Sequence, residues 1–461
     1  MISINRLKEH SIILIFVLVS SIIRIISLFI PHDLWWDSSV YIGMGKYIFS
    51  LGNVGLWEAS RPLIWPIILG FFWKIGLDPV LLGEIMVTLL SLASIILAYL
   101  IALKNFNKKT AIFAALFFSF SPTFLKFNNI LFSEIPSTFF LLLGIYFFFN
   151  KKHFFSGLFL GMAFMTRFFQ IFLLLPIIIF YLFLFYKKKV SFKDFSLFLI
   201  ALMIFIVPFI ILNFRLYNDP FYPFTLQAYM SQNTGWIFYQ PVSFYFINLI
   251  KENFFVVFAI LGFIFMFKKR ELNKLVIMFL FLVPFSLYVM GNHKEMRFLI
   301  PLLPFLYIAV GAGLVYFVES LKKYKNMALS LIMVIWLLQT IPLLQFDRYD
   351  DKLDSFYSYI DSTTINKGIW ITNPSFIVFS DKKAEELIYY PLYHSDKAKQ
   401  LQQKVDKANA VLINTCDILP CPESDIDCLK DTEKLITLLN QKLELAFYEE
   451  NDECIYYIFE A

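Results

Sequence analysis

Long apolar runs recur over the first three quarters of the chain, and short polar connections separate them. A run of roughly 20 apolar residues is long enough to cross the hydrocarbon core of a bilayer as a helix. The pattern therefore predicts an α-helical polytopic membrane protein with 11 spans. They are expected at residues 11–30, 80–103, 110–127, 130–149, 154–167, 168–186, 195–216, 253–267, 272–290, 297–318 and 326–345.

Every second connection between these runs is basic, and the N-terminal RLKEH is basic as well. Lys and Arg are enriched in the cytoplasmic loops of membrane proteins. We therefore expect a multi-pass protein of the cell membrane with its N-terminus in the cytoplasm and the other connections on the extracytoplasmic face. The basic connections are KNFNKK (104–109), KKH (151–153), YKKKVSFKD (186–194), KKRELNK (268–274) and ESLKKYKN (319–326).

The connection after the first run, residues 31–79, is long and mixes charged side chains with aromatic rings. Apolar residues in it repeat at helical spacing, opposite a polar face that includes Lys46: Val40, Met44, Tyr47, Ile48 and Leu51. We expect an amphipathic helix lying in the membrane interface. Segment 61–76 is short and holds two prolines, so it is expected to dip into or lie along the outer leaflet without crossing.

The tail changes character, and the expected division is a transmembrane domain at 1–345 and an extracytoplasmic α/β domain at 346–461. Residues 1–345 hold 28 Lys and Arg against 13 Asp and Glu, whereas the tail holds 12 against 22. Strands are expected at 368–380 and 408–418 and a hairpin at 443–459, with polar-faced helices at 396–407 and 429–442.

All four cysteines, Cys416, Cys421, Cys428 and Cys454, lie in this tail. Such placement favours an oxidising, extracytoplasmic location with up to two disulfides. A zinc site is the alternative, but the CDILPCPESDIDC spacing lacks the usual C-x2-C pairs.

Composition agrees with the apolar pattern, since 59% of residues are hydrophobic and only 16% are charged. The net charge of +5 gives no indication of nucleic-acid binding, because the basic clusters lie beside membrane spans and act as topology signals.

Charged and polar residues collect in the connections expected on the extracytoplasmic face. A pocket with several cations and carboxylates suits transfer of a sugar from a lipid-linked phosphate. Cations stabilise the charge that grows on the leaving phosphate, and a carboxylate takes the proton of the acceptor hydroxyl. The residues are Asp33, Asp37, Glu58, Arg61, Lys126, Glu134, Arg167, His293, Lys294, Glu295 and Arg297.

Two cations inside apolar runs have two interpretations each. Arg24 could extend along the helix to the interface, or it could face a cavity. Arg167 could do the same at a helix end. The favoured interpretation of Arg167 is a buried cation that binds a lipid phosphate at the turn between two helices.

Four stretches carry a resemblance to a known family: WWDSSVYIGMGKYIFSLG with SRPLIWP, then SPTFLKFNNILFSEIPS, then GLFLGMAFMTRF, then HKEMRFLIPLLPFLYIAVGAGL. The set resembles the GT-C superfamily of polyprenyl-phosphate-dependent glycosyltransferases. The first three resemble the protein O-mannosyltransferase and lipid A aminoarabinose transferase branch. The HKEMRFL stretch is similar to the motif of lipid-linked-glycan and GPI-anchor mannosyltransferases.

The resemblance implies an inverting, metal-independent transfer of a hexosyl or pentosyl group from a dolichyl- or undecaprenyl-type monophosphate to a protein, glycan or lipid acceptor. It implies Asp37 as the general base and Glu134 as the second acid. Arg61 and Arg167 match cations near the donor phosphate. His293, Lys294 and Arg297 would help to hold that phosphate.

The chain departs from the family pattern at Ser38, where a second acid often follows the first. Asp33, Glu58 or Glu134 could then supply the partner carboxylate. No cofactor is expected, because the sugar lipid is a substrate. The lack of an Asp-x-Asp pair in these loops weakly disfavours a divalent ion.

Other functional classes compete with a transferase. A transporter or lipid flippase would favour symmetric halves and polar sites at mid-membrane, neither of which the sequence contains. A membrane scaffold would leave the intramembrane cations without a role.

Overall fold

The computed structural model of the chain describes residues 11–30, 32, 34–233, 238–343, 359, 362–388, 395–415, 426–450 and 454–461. Helices form nearly all of the ordered backbone before residue 344. They are α1 Ser11–Leu28, α2 Trp36–Phe49, α3 Ile64–Lys74, α4 Pro79–Asn105, α5 Lys108–Ser119, α6 Pro122–Lys126, α7 Glu134–Phe149, α8 His153–Thr166, α9 Ile171–Tyr186, α10 Phe192–Tyr217, α11 Tyr222–Asn233, α12 Phe244–Glu252, α13 Phe258–Lys269, α14 Leu272–Met290, α15 Leu303–Ser320 and α16 Lys325–Thr340.

Each of the predicted spans overlaps one of these helices, except the run at 110–127, which falls on two. Six helical segments of the described chain are long and apolar enough to cross a membrane: Pro79–Asn105, Phe168–Tyr186, Phe192–Tyr217, Leu272–Met290, Leu303–Ser320 and Lys322–Leu343. The other predicted spans fall on shorter apolar helices, such as α7 and α8. A membrane protein built from apolar helices is therefore confirmed, while the number of spans and their orientation stay predictions.

Prolines change the helix boundaries in two of the predicted spans. The run at 110–127 forms α5 and then α6, because Pro122 lacks the N–H that a continuous helix needs but fits the first turn of a new one. The run at 130–149 becomes helical only from Glu134, two residues before Pro136.

Glycines allow several helices to pack with their backbones almost in contact. A Cβ on Gly157 of α8 would lie 2.1 Å from the carbonyl oxygen of Phe198 in α10. A Cβ on Gly262 of α13 would lie 1.9 Å from the carbonyl oxygen of Ala309 in α15. Close approach at small residues is a usual way for membrane helices to associate, because van der Waals packing drives their contact.

The helix predicted in the first connection exists as α2, but its two faces are covered by protein, which the amphipathic pattern did not predict, and its position in the membrane interface stays a prediction. Its residues Tyr41 and Ile42 belong to the core of the helical region, while Val40 and Met44 pack against the C-terminal residues. Lys46, expected on the polar face, is only 3% exposed. The helix is covered on both faces. Helix α3 follows it and is about 16 Å long, which is shorter than the hydrocarbon core.

The C-terminal residues form a five-stranded mixed sheet in the order β2-β1-β3-β5-β4. Strand β1 is parallel to β2 and β3, and β5 is antiparallel to β3 and β4. The described elements are β1 Ile369–Ile371, α17 Phe376–Phe379, β2 Ala384–Leu387, α18 Ser395–Lys404, β3 Ala410–Asn414, α19 Ile426–Lys442, β4 Glu444–Glu450 and β5 Ile455–Glu460.

The predicted helices at 396–407 and 429–442 and the predicted hairpin are confirmed. The strand expected at 368–380 is partly wrong, because it ends at Ile371 and α17 replaces its second half. Pro374 cannot donate to a ladder, and the Asn373 side chain accepts from the Ser375 backbone at 2.7 Å, which starts a turn. The polar strand β2 was missed.

Cys454 forms a disulfide, which agrees with the expected oxidised state. Cys416 and Cys421 lie outside the described residues, so the pairing stays a prediction.

Candidate active site

Seven charged side chains converge where α2 and α7 begin and α8 ends, and we call them the ionic cluster. They come from segments far apart in the chain: the start of α2, the loop before α3, the first residue of α7, the end of α8, and the loop before α15. The cluster consists of Asp37, Glu58, Arg61, Glu134, Arg167, Glu295 and Arg297.

Asp37, in the first turn of α2, is held between two guanidinium groups. Its Oδ1 lies 2.7 Å from Nη2 of Arg61, and its Oδ2 lies 2.6 Å from Nη1 of Arg297. Burial raises the pKa of Asp37, but the positive charges of Arg61 and Arg297 outweigh burial and hold that pKa well below its usual range. Asp37 is therefore ionised at neutral pH.

Arg297 links three carboxylates. Besides Asp37, it binds Glu295 through Nη2 at 2.9 Å and Nε at 2.8 Å, and its Nε lies 3.7 Å from Oε1 of Glu134. Its guanidinium carbon stands 4.6 Å from the ring centroid of Phe132. The aromatic face restricts the plane of the guanidinium, so its fork is fixed toward the carboxylates.

Arg167 follows α8 and pairs with Glu134, the first residue of α7, at 3.0 Å. It also donates to the Ser133 hydroxyl at 3.3 Å. The side chain of Arg167 is 11% exposed at this turn, so the cation is largely covered, and its binding of a phosphate stays a prediction. The ring centroid of Phe298 lies 5.4 Å from the guanidinium carbon of Arg167 and 5.6 Å from that of Arg297. Both cations therefore contact the same aromatic ring.

Glu58 and Arg61 form the edge of the cluster next to α3. Oε1 of Glu58 accepts from the Ser60 hydroxyl at 2.7 Å and from Nε of Arg61 at 3.1 Å. Oε2 of Glu58 is buried and has no hydrogen-bond partner among the described residues. Arg61 stands over the ring of Tyr41 at 5.6 Å.

The HKEMR segment divides in the structure. His293 approaches Oε1 of Glu295 through Nε2 at 2.8 Å and stacks on Phe238. Burial raises the pKa of Glu295, but His293 and Arg297 outweigh burial and lower it overall. Lys294 does not join the ionic cluster, because its ammonium donates to the carbonyl oxygens of Gln240, at 2.7 Å, and Gly291.

The remaining candidates lie apart from the ionic cluster or outside what is described. Asp33 lies outside the described residues, and Lys126 ends α6. Arg24 is fully buried and extends neither to the interface nor toward the cluster. It donates to the hydroxyls of Ser91, at 3.0 Å, and Ser20, and to the carbonyl oxygen of Ser119 at 3.2 Å.

Sequence reasoning missed the neutral residues that orient the charges. Ser133 accepts from both Arg167 and Tyr41, and Phe132 and Phe298 provide the faces on which Arg297 rests. Their positions in the sequence could have indicated them, since each of the three lies within two residues of Glu134 or Arg297.

The described residues do not fit a divalent metal ion. No group of three or more His, Cys, Asp or Glu side chains among them could hold one. Guanidinium groups occupy the carboxylate oxygens that a metal would need. The arrangement instead suits anion exchange, because a phosphate can replace a carboxylate on the planar fork of arginine.

Comparison with known proteins places part of the chain in a sequence family. A family model described as dolichyl-phosphate-mannose-protein mannosyltransferase matches residues 60–212. That range holds Arg61, Glu134 and Arg167. No curated protein matches the chain in sequence.

Solved structures match over nearly the whole chain. ArnT from Cupriavidus metallidurans, bound to undecaprenyl phosphate, has a TM-score of 0.61 at 12% identity and covers 97% of this chain and 98% of its own. The oligosaccharyltransferase AglB from Archaeoglobus fulgidus, in complex with an inhibitory peptide and a dolichol-phosphate, has a TM-score of 0.64 at 11% identity. That match covers 98% of this chain and 74% of AglB.

At this level of identity the structural matches establish the fold. The chain therefore has the GT-C fold over nearly its whole length, and the family-model match over residues 60–212 agrees with the resemblance carried by the motifs.

Proposed function

We propose that the chain is an inverting glycosyltransferase that moves a sugar from a polyprenyl monophosphate to an acceptor on the extracytoplasmic face. The observation that carries the proposal is the ionic cluster, in which a half-buried carboxylate, Asp37, is held by the guanidinium groups of Arg61 and Arg297. A base and its anion-binding cations thus share one pocket.

The donor phosphate would bind by taking the place of a carboxylate. Arg297 and Arg167 are the best placed to receive it, because both rest against Phe298 and both contact Glu134. A phosphate presents oxygens with the same spacing as a carboxylate and forms bidentate pairs with arginine. His293, on the far side of Glu295, would add a donor to the same anion.

Asp37 is a weak base while both of its oxygens are paired. When the phosphate draws Arg297 away, Asp37 loses one cation and becomes more basic. It then accepts the proton of the acceptor hydroxyl as the hydroxyl oxygen attacks the anomeric carbon. The bond from that carbon to the phosphate oxygen breaks, and its electron pair leaves with the phosphate, whose charge the arginines stabilise.

The second acid is Glu134 in this proposal. It pairs with Arg167 at 3.0 Å, so its role is to orient that cation. Glu58, with a buried unpartnered oxygen, is the remaining carboxylate that could accept a hydrogen bond from a sugar hydroxyl.

One similar structure indicates a class of acceptor, a peptide. One structure of the Archaeoglobus oligosaccharyltransferase holds an acceptor peptide tethered by a disulfide, with a TM-score of 0.63 at 11% identity. A protein, glycan or lipid hydroxyl would serve the chemistry above equally well. No step in it requires a metal ion.

The test uses the purified full-length chain. Lipids extracted from it are analysed by mass spectrometry for polyprenyl phosphate, and the chain is then incubated with polyprenyl-phosphate sugars of different head groups. Release of free polyprenyl phosphate that requires an acceptor supports the proposal. Movement of the intact sugar lipid across a vesicle membrane without release would establish a flippase instead.

A further inference from the structure

Lys46, near the end of α2, is buried and fully used in hydrogen bonds to the C-terminal sheet region. Its ammonium donates to the carbonyl oxygens of Val378 at 3.1 Å and Ser380 at 3.2 Å, and to Oδ1 of Asp381 at 3.0 Å. These three acceptors match the three protons of an ammonium group. Trp73 of α3 donates to the same Asp381 oxygen at 3.0 Å.

Two further contacts join the same surfaces. Ser39 lies 3.1 Å from the Ser375 hydroxyl. The backbone of Gly55 pairs with the segment that leads into β2, since its N–H donates to Lys382 at 3.0 Å and its carbonyl accepts from Ala384 at 2.9 Å. The first connection therefore extends the C-terminal sheet at its β2 edge.

The ionic-cluster residues of the first connection lie on either side of these contacts along the chain. Asp37 lies on the same helix as Lys46, about 13 Å away along a rigid axis. Glu58 and Arg61 follow Gly55 by three and six residues. The position of Asp37 relative to Arg61 thus depends on how α2 and the segment after Gly55 are fixed to one sheet.

We propose that Lys46 is a positioning residue through which the C-terminal sheet region fixes the geometry of Asp37 and Arg61 in the proposed transfer reaction. The inference rests on the proposed function for its kinetic consequence, and on the contacts of Lys46 for its structural one. Lys46 touches neither substrate nor reacting atoms.

Several features indicate that Lys46 does more than stabilise the fold. A buried ammonium is expensive to desolvate, and replacing such a group by an apolar residue of similar volume is often neutral or stabilising. An ammonium with three fixed acceptors instead fixes the orientation of α2 and its distance from the C-terminal sheet region. Small displacements matter at the other end of α2, because a shift of about 1 Å in a catalytic group can reduce the rate about 100-fold.

The test compares Lys46→Met, which keeps the stem but removes the charge, with Lys404→Met. Lys404 also pairs with a carboxylate of the same sheet region, Glu386 at 2.6 Å, and its described contacts do not include α2. Transfer by the full-length chain gives kcat and the donor KM. Hydrogen exchange of the amides in α2 and in residues 55–61 reports the geometry without requiring activity.

For Lys46→Met we expect kcat to fall about tenfold or more with the donor KM within about twofold, and the amides of α2 to exchange faster. Asp381→Asn, which leaves the two carbonyl contacts, should give a smaller decrease. Lys404→Met should leave both readouts at the wild-type level.

A folded Lys46→Met variant with unchanged kcat and unchanged exchange in α2 would overturn the proposal, and so would equal losses in Lys46→Met and Lys404→Met. If the wild-type chain transfers no sugar from any donor, the proposed function fails. Exchange in α2 then decides the positioning role by itself, for or against.

Discussion

Two arginines of this protein, the buried Arg24 and the half-buried Arg297, have opposite surroundings. Arg24 lies among α1, α4 and α5, and its described partners are neutral: the hydroxyls of Ser20 and Ser91 and the carbonyl oxygen of Ser119. Arg297 lies in the ionic cluster and contacts the carboxylates of Asp37, Glu134 and Glu295. Both are cations removed from water, but only the second is surrounded by charges of the opposite sign.

The difference separates an arginine that packs helices together from one that we propose binds the donor phosphate. The partners of Arg24 come from three helices and match its fork without any group that titrates near neutral pH. In the ionic cluster, Oε2 of Glu58 has no partner among the described residues, and Asp37 is held ionised by two exchangeable ion pairs. Exchangeable charge suits a reaction in which an anion enters and a proton moves, whereas saturated neutral contacts suit helix packing.

The largest effect is expected at Asp37. Asp37→Asn keeps the size and hydrogen-bonding shape of the side chain but removes the base, so kcat should fall by about a thousandfold or more. The measurement is sugar release from a polyprenyl-phosphate donor. Asp194→Asn, in the KKKVSFKD connection far along the chain, is the matched control and should transfer at the wild-type rate. Full transfer by a folded Asp37→Asn variant would remove the general-base assignment.

Arg297→Lys should give the next largest effect. Lysine keeps the charge but loses the planar fork that contacts Asp37 and Glu295 together. We expect transfer to fall about 100-fold, because one donor to the developing phosphate charge is lost. Donor binding should weaken with it. An Arg297→Lys variant that binds and transfers like wild type would mean that phosphate binds elsewhere.

Arg24→Met should have the reverse profile. Removing the guanidinium takes away the donor to the hydroxyls of Ser20 and Ser91 and to the Ser119 carbonyl, which should cost about 1–3 kcal/mol of unfolding free energy. Transfer per folded molecule should stay within about twofold, since distant independent sites rarely couple. Thermal unfolding and specific activity measured on the same preparation separate the two quantities. A large loss of specific activity would place Arg24 in the reaction and contradict its assignment as a helix-packing residue.

Sequence reasoning located the charged residues of the cluster but not the way they are held. Asp37, Arg61, Glu134 and Arg167 were found because charges between apolar runs are costly and therefore conspicuous. Lys294 was assigned to the phosphate from the family resemblance, yet its ammonium donates to backbone carbonyls. A one-dimensional pattern records that a lysine is present and cannot tell a carbonyl acceptor from an anion.

The error at α2 has a related cause. A stripe containing Val40 and Met44 opposite Lys46 indicates two environments, and lipid and water were the two assumed. The structure provides a helical core on one face and the C-terminal sheet on the other. Partners distant in sequence decided which face was covered. The same holds for β2, whose polar residues gain their place from pairing with β1 and with Gly55.

The smallest expected effect is the contribution of the ionic cluster to the pH dependence of stability. The pKa values of Asp37 and Glu295 are lowered in the folded state, so the unfolded state binds protons more readily there. Their contribution to stability is complete above the unfolded pKa values of about 4, and it is lost as pH falls through the lower folded values. The unfolding temperature in detergent should therefore decrease between about pH 5 and pH 3.

Arg24→Met should show the same slope from a lower starting temperature, because no carboxylate is among its described partners. Asp37→Asn should show a shallower slope, since one of the two titrating groups is gone. Equal slopes in wild type and Asp37→Asn would mean that the ion pairs of Asp37 contribute nothing to folding, and that the cluster is maintained by the packing around it.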